Sequence, residues 1–251
     1  SSCNCKRHYS QPDCNWGWDS HRECYFFGYH LYMYVASDSH SDLPVFPLLE
    51  RASRHDMLSF LHSFFTMKAY LPEFRIEKLL LDSAHDAYAV YEYCRQENIT
   101  PFIDLNPGHT GHFTYKDDFT IDEDGVPICK MGLRMHKDGY EAAKHRAKYR
   151  CPKANRKQGC FCEHPCSPAK YGRTVHIFTA DNPRLFNIPP RDSTAWKREY
   201  DGRTSVERSN KREKEDYKLE DGRHRSTKMW YCRLYGIMML QHLDAWEMPS
   251  F

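Results

Sequence analysis

Blocks of apolar residues alternate with polar stretches along the chain, and their periods predict strands first. Residues 25–36 are dense in aromatic and β-favouring side chains, a pattern that predicts a strand. Turn residues follow, and residues 43–49 predict a second strand. Pro44 and Pro47 in that segment indicate an edge or irregular strand, because proline donates no ladder hydrogen bond.

Helical and strand patterns then alternate. Apolar residues recur at helical spacing in residues 55–70 and again in residues 84–96. Short buried-strand patterns at residues 77–81 and 101–105 lie before and after the second of these helices. The order up to residue 105 is therefore β-β-α-β-α-β, which predicts an α/β domain.

Periodicity weakens from residue 106 to residue 198, where Gly, Pro, His and Cys are frequent, so we expect an inserted irregular or β subdomain there. Helical character returns near Trp196 and continues to Trp246, with a predicted break at Asp221 and Gly222. The predicted organisation is a cysteine-containing N-terminal loop (1–24), the first part of the α/β domain (25–105), a basic, cysteine-rich insert (106–198) and the C-terminal helical part of that domain (199–246).

Charge is clustered rather than general, since the net charge of the 251-residue chain is only +2. Seven Lys or Arg residues and no acid lie between residues 142 and 162. In the first half of this segment every second residue is basic, namely Lys144, Arg146, Lys148 and Arg150. This alternation fits one face of a strand or a charged loop. Contact with a DNA backbone and a solvated surface are both open interpretations, because phosphate binding needs clustered cations.

Eleven cysteines, an odd number without a preceding apolar signal, argue against a secreted disulfide scaffold and favour a cytoplasmic protein. The apolar residues 229–246 are interrupted by polar ones and predict a core helix rather than a membrane span. One cysteine group suits tetrahedral zinc, although free thiols and a redox role stay open. That group is Cys151, Cys160, Cys162 and Cys166.

Asp82 directly follows the strand pattern of residues 77–81 and precedes a predicted helix. A carboxylate there can cap the helix, or it can serve a site at the carboxyl ends of the strands, where open α/β sheets bind ligands. Asp86, four residues later, is the second candidate for that site, but it is predicted to lie on the helix surface.

A set of polar residues between 200 and 214 falls on one face if the segment is a single helix. The set is Tyr200, Arg203, Glu207, Lys211 and Lys214. By itself Glu207 would be one member of a series of ion pairs with Arg203 and Lys211. The spacing Tyr-x2-Arg-x3-Glu-x6-Lys, however, matches the YREK signature without a gap. The chain therefore resembles the DDE-type transposases of bacterial insertion sequences.

The resemblance implies a ribonuclease-H-like mixed sheet with flanking helices, interrupted by an insert between the second aspartate and the glutamate. Asp82 and Glu207 would hold Mg²⁺ or Mn²⁺, ions that favour oxygen ligands. DNA, both transposon ends and target, would be the partner, with a homodimer in the synaptic complex left open and no membrane. The residues expected to contact DNA are Tyr200, Arg203, Lys211, Lys214, Trp196, Lys144, Arg146, Lys148 and Arg150.

The chain departs from the family pattern at the first aspartate, which should lie on a strand upstream of residues 25–36. Asp13 and Asp19 are the only acids between residues 1 and 21, and both lie in loop-like sequence. We therefore expect that aspartate upstream of Ser1. The alternative is a non-catalytic, zinc-stabilised DNA-binding remnant of a transposase.

Overall fold

A computed structural model describes residues 11, 13–19, 22–54, 56–106, 113–115, 119–122, 124–155, 159–160 and 162–247. This part of the chain is a mixed α/β protein with several small sheets. Its contacts define two units. The first combines Ser1–Arg75 with Gly202–Phe251, and the second is Ile76–Asp201.

Five α-helices and thirteen strands occur in the described residues. The helices are α1 (Asp56–Tyr70), α2 (Tyr88–Gln96), α3 (Thr194–Tyr200), α4 (Thr204–Lys211) and α5 (Thr227–Glu247). The strands are β1 (Asn15–Asp19), β2 (Cys24–Ala36), β3 (Leu43–Arg51), β4 (Lys78–Leu81), β5 (Thr100–Ile103), β6 (Phe113–Tyr115), β7 (Phe119–Ile121), β8 (Pro127–Ile128), β9 (His136–Glu141), β10 (Arg146–Arg150), β11 (Ala154–Asn155), β12 (Gly159–Cys160) and β13 (Thr174–Phe178).

The first unit is built on an antiparallel sheet of order β1-β2-β3. The predicted strands of residues 25–36 and 43–49 are confirmed as β2 and β3, and β1 is an additional strand. Among the described strands β3 lies at an edge of this sheet, which agrees with its two prolines, Pro44 and Pro47.

Helices α1, α4 and α5 pack against strands of this sheet. The hydroxyl of Tyr231 in α5 accepts a hydrogen bond from the Leu49 backbone N–H at 3.0 Å. His242, three turns later, donates from Nε2 to the Pro44 carbonyl at 2.8 Å. These two bonds anchor α5 on backbone groups of β3, which is an edge strand of the described sheet.

In the second unit, β4 and β5 form a parallel pair connected by α2. The inner face of α2 carries the buried residues Val90, Tyr91 and Cys94. They lie on one face because they recur at helical spacing. The Ser193 hydroxyl caps α3 by accepting a hydrogen bond from the Trp196 N–H. Trp196 is buried with its ring centroid 6.1 Å from that of Phe102 in β5.

The rest of the second unit consists of short antiparallel strands. Strand β10 lies between β9 and β13, and β7 lies between β6 and β8. Their apolar residues form one cluster, which includes Ile121, Tyr149, Ile177 and Phe186. Between residues 106 and 193 the described part contains strands and short turns without an α-helix.

The unit boundaries, after residues 75 and 201, differ from the predicted boundaries after residues 105 and 198. Hydrogen bonds join the parallel pair and the turn before α2 to the insert within this unit. Arg191 donates from Nε to the carbonyl of Ile103 at 2.9 Å, and Arg184 forms an ion pair with Asp86.

None of the helices in the described part of the chain combines the length and the apolarity that crossing a bilayer requires.

Candidate functional site

Asp82 lies at the carboxyl end of β4 and begins a 3₁₀ turn, Ser83–His85. Its Oδ1 accepts a hydrogen bond from the Ala84 N–H at 3.1 Å, and the His85 ring Nδ1 lies 2.7 Å from the same oxygen. The side chain remains 54% exposed. Asp82 therefore caps the turn while its carboxylate stays accessible, so the two interpretations of this residue do not exclude each other.

A second carboxylate, which the sequence interpretation missed, follows the neighbouring strand. Leu81 pairs with Ile103 at the ends of β4 and β5, so Asp82 and Asp104 each follow the last paired position. Asp104 is exposed, and its N–H donates to the carbonyl of Leu81 at 3.4 Å. The signal that could have identified Asp104 is the one that identified Asp82, an acid directly after a short strand.

Glu207 lies in α4, in the other unit from Asp82. Arg203, one turn earlier, places Nη1 2.8 Å from Glu207 Oε1, and the glutamate side chain is 58% exposed. Arg203 and Glu207 are therefore in contact within the first unit, as their spacing predicted. An exposed pair of this kind contributes little to stability, about 0.3–0.5 kcal/mol for i,i+4 helix pairs.

The motif does not lie on one uninterrupted α-helix as expected. Tyr200 ends α3, a 3₁₀ turn covers Asp201–Arg203, and the chain becomes π-helical at Arg212–Asp216. The N–H of Tyr217 bonds to the Arg212 carbonyl, five residues back. This wider turn shifts the later residues around the helix axis. Lys211 lies 3.8 Å from Glu215, four residues later, and Lys214 lies 3.2 Å from Glu220.

Two aromatic residues of the predicted DNA-contacting set stack on each other. Trp196 and Tyr200 have ring centroids 4.5 Å apart and an interplanar angle of 20°. Because Trp196 is only 5% exposed, its ring is part of the core of the second unit. In this conformation it offers no free face to an unpaired base.

Three of the four basic residues between 144 and 150 alternate on a strand, while Lys144 lies in the preceding 3₁₀ turn. Arg146, Lys148 and Arg150 on β10 flank the buried Ala147 and Tyr149, which confirms the strand interpretation over the loop.

Two acids of β9 pair with this basic face. Glu141 lies 2.9 Å from Lys144 and 2.7 Å from Arg146, while Asp138 lies 2.8 Å from Lys148 and 3.5 Å from Arg150. Hydrogen bonds from Arg146 and then Lys144 lower the pKa of Glu141 to about 2. With four basic and two acidic side chains, this face has a net positive charge. That charge is smaller than the basic residues of the sequence alone suggest.

Three thiols line one small cavity in the second unit. They belong to Cys129, Cys151 and Cys166, and Met135 lies beside them. Cys129 was not among the predicted zinc ligands. Of the predicted zinc set, Cys162 is half-buried, and the side chain of Cys160 lies outside the described part. Within the described residues, no three His, Cys, Asp or Glu side chains are arranged to hold a metal ion.

A buried polar network was also missed. Asp86, predicted at the helix surface, has no exposed side-chain area, so that prediction is wrong. Its carboxylate accepts hydrogen bonds from Arg184, from the Tyr91 hydroxyl at 3.0 Å and from the Asn106 N–H at 2.7 Å. Arg191 donates to the Tyr91 hydroxyl at 2.8 Å. Burial raises the pKa of Tyr91, which therefore stays a neutral donor. The network holds the segment that follows β5.

Searches of protein-family models, curated proteins and solved structures found no match to this chain. The assignment of a function therefore rests on the residues and their arrangement.

Proposed function

We propose that the chain is the catalytic domain of a DDE-type insertion-sequence transposase with a ribonuclease-H-like fold. The observation that carries the proposal is the ungapped spacing Tyr200-x2-Arg203-x3-Glu207-x6-Lys214. Its activity would be metal-dependent cleavage of DNA at the ends of the element, followed by attack of the freed 3′-hydroxyl on another phosphodiester.

The order of elements supports the fold part of the proposal. The antiparallel strands β2 and β3 precede α1, and the parallel unit β4-α2-β5 follows. Asp82 stands at the carboxyl end of β4, the end at which open α/β sheets carry their sites.

The donor atoms suit the proposed ion. Asp82 and Glu207 present exposed carboxylates, and hard oxygen ligands are those that Mg²⁺ and Mn²⁺ prefer. In this proposal both residues are ligands of the metal. The bound metal would activate a water molecule and stabilise charge on the phosphate oxygens.

The neighbouring residues have supporting roles in this proposal. Arg203 orients the Glu207 carboxylate through their 2.8 Å ion pair. Its guanidinium, the Tyr200 hydroxyl and the Lys214 ammonium are donors that suit backbone phosphates beside the scissile bond. The positive face of β10 would add sequence-independent contacts to the DNA backbone.

The proposal is tested with the purified protein. Nicking and strand transfer on DNA carrying the element ends are compared for wild type, Asp82→Asn and Glu207→Gln with Mg²⁺ or Mn²⁺. Both variants should lose cleavage by about 100-fold or more, because each removes a ligand charge from the metal. Asn can still accept the Ala84 hydrogen bond, so Asp82→Asn should fold normally.

Glu215→Gln is the matched control. Like Glu207, Glu215 is exposed and has a basic partner four residues earlier, Lys211. It should cut at the wild-type rate. Unaltered cleavage in both Asp82→Asn and Glu207→Gln would refute the catalytic assignment. A wild-type protein that binds the ends without cutting them would instead identify a DNA-binding remnant.

A further inference from the structure

Helix α5 is apolar on its outer face as well as on its buried one. The buried face packs against β3 and carries Leu234, Ile237 and Met238. The outer face carries a row of exposed residues, namely Cys232, Tyr235, Met239, Leu243 and Trp246. A surface helix normally has a polar outer face, and a helix that is apolar all round is normally buried. We therefore expect a partner to cover this face.

The spacing of the exposed row suits another helix as the partner. Cys232, Met239 and Trp246 are seven residues apart, with Tyr235 and Leu243 between them. A seven-residue repeat keeps side chains along one helix–helix seam. The row is about 21 Å long, or four helical turns. Met239, at its centre, is 65% exposed.

The two charged residues within the row's span bond to the segment before α5. Arg233 donates to the Leu219 carbonyl at 3.2 Å, and the Tyr217 hydroxyl donates to the Asp244 carboxylate. The row itself is uncharged, so a partner would meet an apolar surface there.

Charges at the two ends of α5 indicate the direction of the partner helix. Lys228 lies in the first turn and Glu247 in the last, and both are exposed. This order is the reverse of the one that the helix dipole favours. An antiparallel α5 would correct it, because Lys228 would then lie beside the acidic C-terminal end of the neighbouring helix. A second copy of the chain therefore has the complementary charges.

We propose that two copies of this chain associate through the outer faces of their α5 helices, antiparallel about a two-fold axis. If Lys228 lies beside Glu247 of the second copy, the same register places Gly236 opposite Met239 and Cys232 opposite Leu243. Gly236 leaves room for the facing methionine, since a Cβ at this glycine would meet nothing within 4 Å. The inference does not depend on the transposase proposal.

Sedimentation velocity of the purified chain without DNA tests the interface. Wild type should form dimers at micromolar concentrations. Met239→Asp should weaken dimerisation by about 100-fold or more, because it places a charge at the centre of the apolar row. Leu58→Asp, at an exposed leucine of α1, is the control and should dimerise like wild type. Circular dichroism checks that both variants are folded.

Two results of this experiment would overturn the proposal. One is a wild-type chain that stays monomeric at these concentrations, which would leave the outer face of α5 to a different protein. The other is a dimer that Met239→Asp weakens no more than Leu58→Asp does.

Charge reversal tests the antiparallel direction. Lys228→Glu should weaken dimerisation about tenfold, because a two-fold axis repeats the pair with Glu247 and both copies of it are lost. Adding Glu247→Lys should restore wild-type dimerisation. A double variant that dimerises no better than Lys228→Glu would contradict this pairing.

Cross-linking tests the register. Leu243→Cys places a thiol opposite the native Cys232 of the second copy, so mild oxidation should join two chains by this disulfide. Leu240→Cys is the matched control, since Leu240 is similarly exposed but lies opposite Tyr235. Peptide mass spectrometry identifies the linked cysteines. Equal cross-linking in the two variants, or a link between the two Cys232 residues of wild type, would refute the antiparallel register.

Discussion

Arg184 donates two parallel hydrogen bonds to the carboxylate of Asp86 inside the second unit. Arg184 Nε lies 2.9 Å from Oδ1 and Nη2 lies 2.5 Å from Oδ2. The two side chains are 8% and 0% exposed, and the residues are 98 positions apart in the sequence. The pair therefore joins the turn before α2 to the segment after β13. A buried charge pair depends on both partners, because either charge alone would be poorly solvated.

Arg184→Met should destabilise the protein by about 3–5 kcal/mol, because it leaves the Asp86 carboxylate buried without its counter-ion. Urea denaturation monitored by circular dichroism would measure the loss. Arg95→Met is the matched control, since Arg95 pairs with Glu92 in an exposed bridge. That change should cost less than about 1 kcal/mol.

The double variant Asp86→Asn/Arg184→Met separates charge from packing. Removing both charges should recover part of the stability lost in Arg184→Met, since no isolated buried charge remains. If the double variant loses as much free energy of unfolding as the two single variants together, the isolated buried charge is not the cause of the loss in Arg184→Met.

Local patterns were enough to predict the regular elements between residues 24 and 105, but not β1, which lies in sequence predicted to be a loop. Strands β2 to β5 and helices α1 and α2 lie where apolar periodicity and turn residues predicted them, within a few residues. The pattern around Asp86 was misleading, because a charged residue near a helix start usually faces solvent. Its burial depends on Arg184, a partner that no local pattern reveals.

The candidate site shows the same limit. The spacing of Arg203 and Glu207 predicted their contact, because four residues make one helical turn. The π-helical turn at Arg212–Asp216 could not be predicted from spacing, and Lys214, which lies in it, pairs with Glu220. Cys129 was likewise recognised as a neighbour of Cys151 only through the folded arrangement.

Arg208, next to Glu207, binds the turn between β2 and β3. Its Nε and Nη2 donate to the two carboxylate oxygens of Asp42 at 2.6 and 2.7 Å. These hydrogen bonds lower the pKa of Asp42. Asp42 has φ 47°, a left-handed conformation that Asn tolerates, so Asp42→Asn changes the charge and keeps the backbone.

Asp42→Asn should cost about 1 kcal/mol at neutral pH, an amount limited by the exposure of Arg208. A lowered folded-state pKa stabilises the protein above the unfolded pKa, and this stability is lost as the pH falls through the folded value. The difference between wild type and variant should therefore disappear in acid. Urea titrations at neutral and acidic pH measure it, and a constant difference at both would contradict the assignment.

Glu213 is buried in the π-helical turn, where Gln241 Nε2 donates to Oε1 at 3.3 Å. Its Oε2 is buried without a hydrogen-bond partner. Burial raises the pKa of Glu213. The fold is therefore more stable while Glu213 is a neutral carboxylic acid, and the stability decreases as the pH rises through the raised pKa. Glu213→Gln, which resembles the protonated acid, should be more stable than wild type at neutral pH by about 1–3 kcal/mol.

Thermal unfolding at about pH 5 and about pH 8 tests this effect, since the advantage of Glu213→Gln should grow with pH. Glu215→Gln, in the same turn but exposed, is the control and should show no such trend. Equal melting temperatures of wild type and Glu213→Gln across the pH range would show that the buried acid does not destabilise the fold.

Gly172 and Gly132 form a natural pair for testing the packing around the thiol cavity. Both have φ +72°, but a Cβ at Gly172 would lie 2.5 Å from the Ala154 Cβ and 2.8 Å from the Cys151 Cβ, whereas nothing lies within 4 Å at Gly132. Gly132→Ala should therefore cost only the left-handed backbone strain, about 1–2 kcal/mol. Gly172→Ala adds a steric clash to the same strain, and overpacking costs about 1–3 kcal/mol more.

Urea denaturation of the two variants measures the difference in stability. Gly172→Ala pushes against Cys151, while Gly132→Ala perturbs the Cys129 turn by backbone strain alone. Equal destabilisation by the two substitutions would mean that the space beside Cys151 can widen without cost. The close approach of Gly172 would then not be what holds this thiol in place.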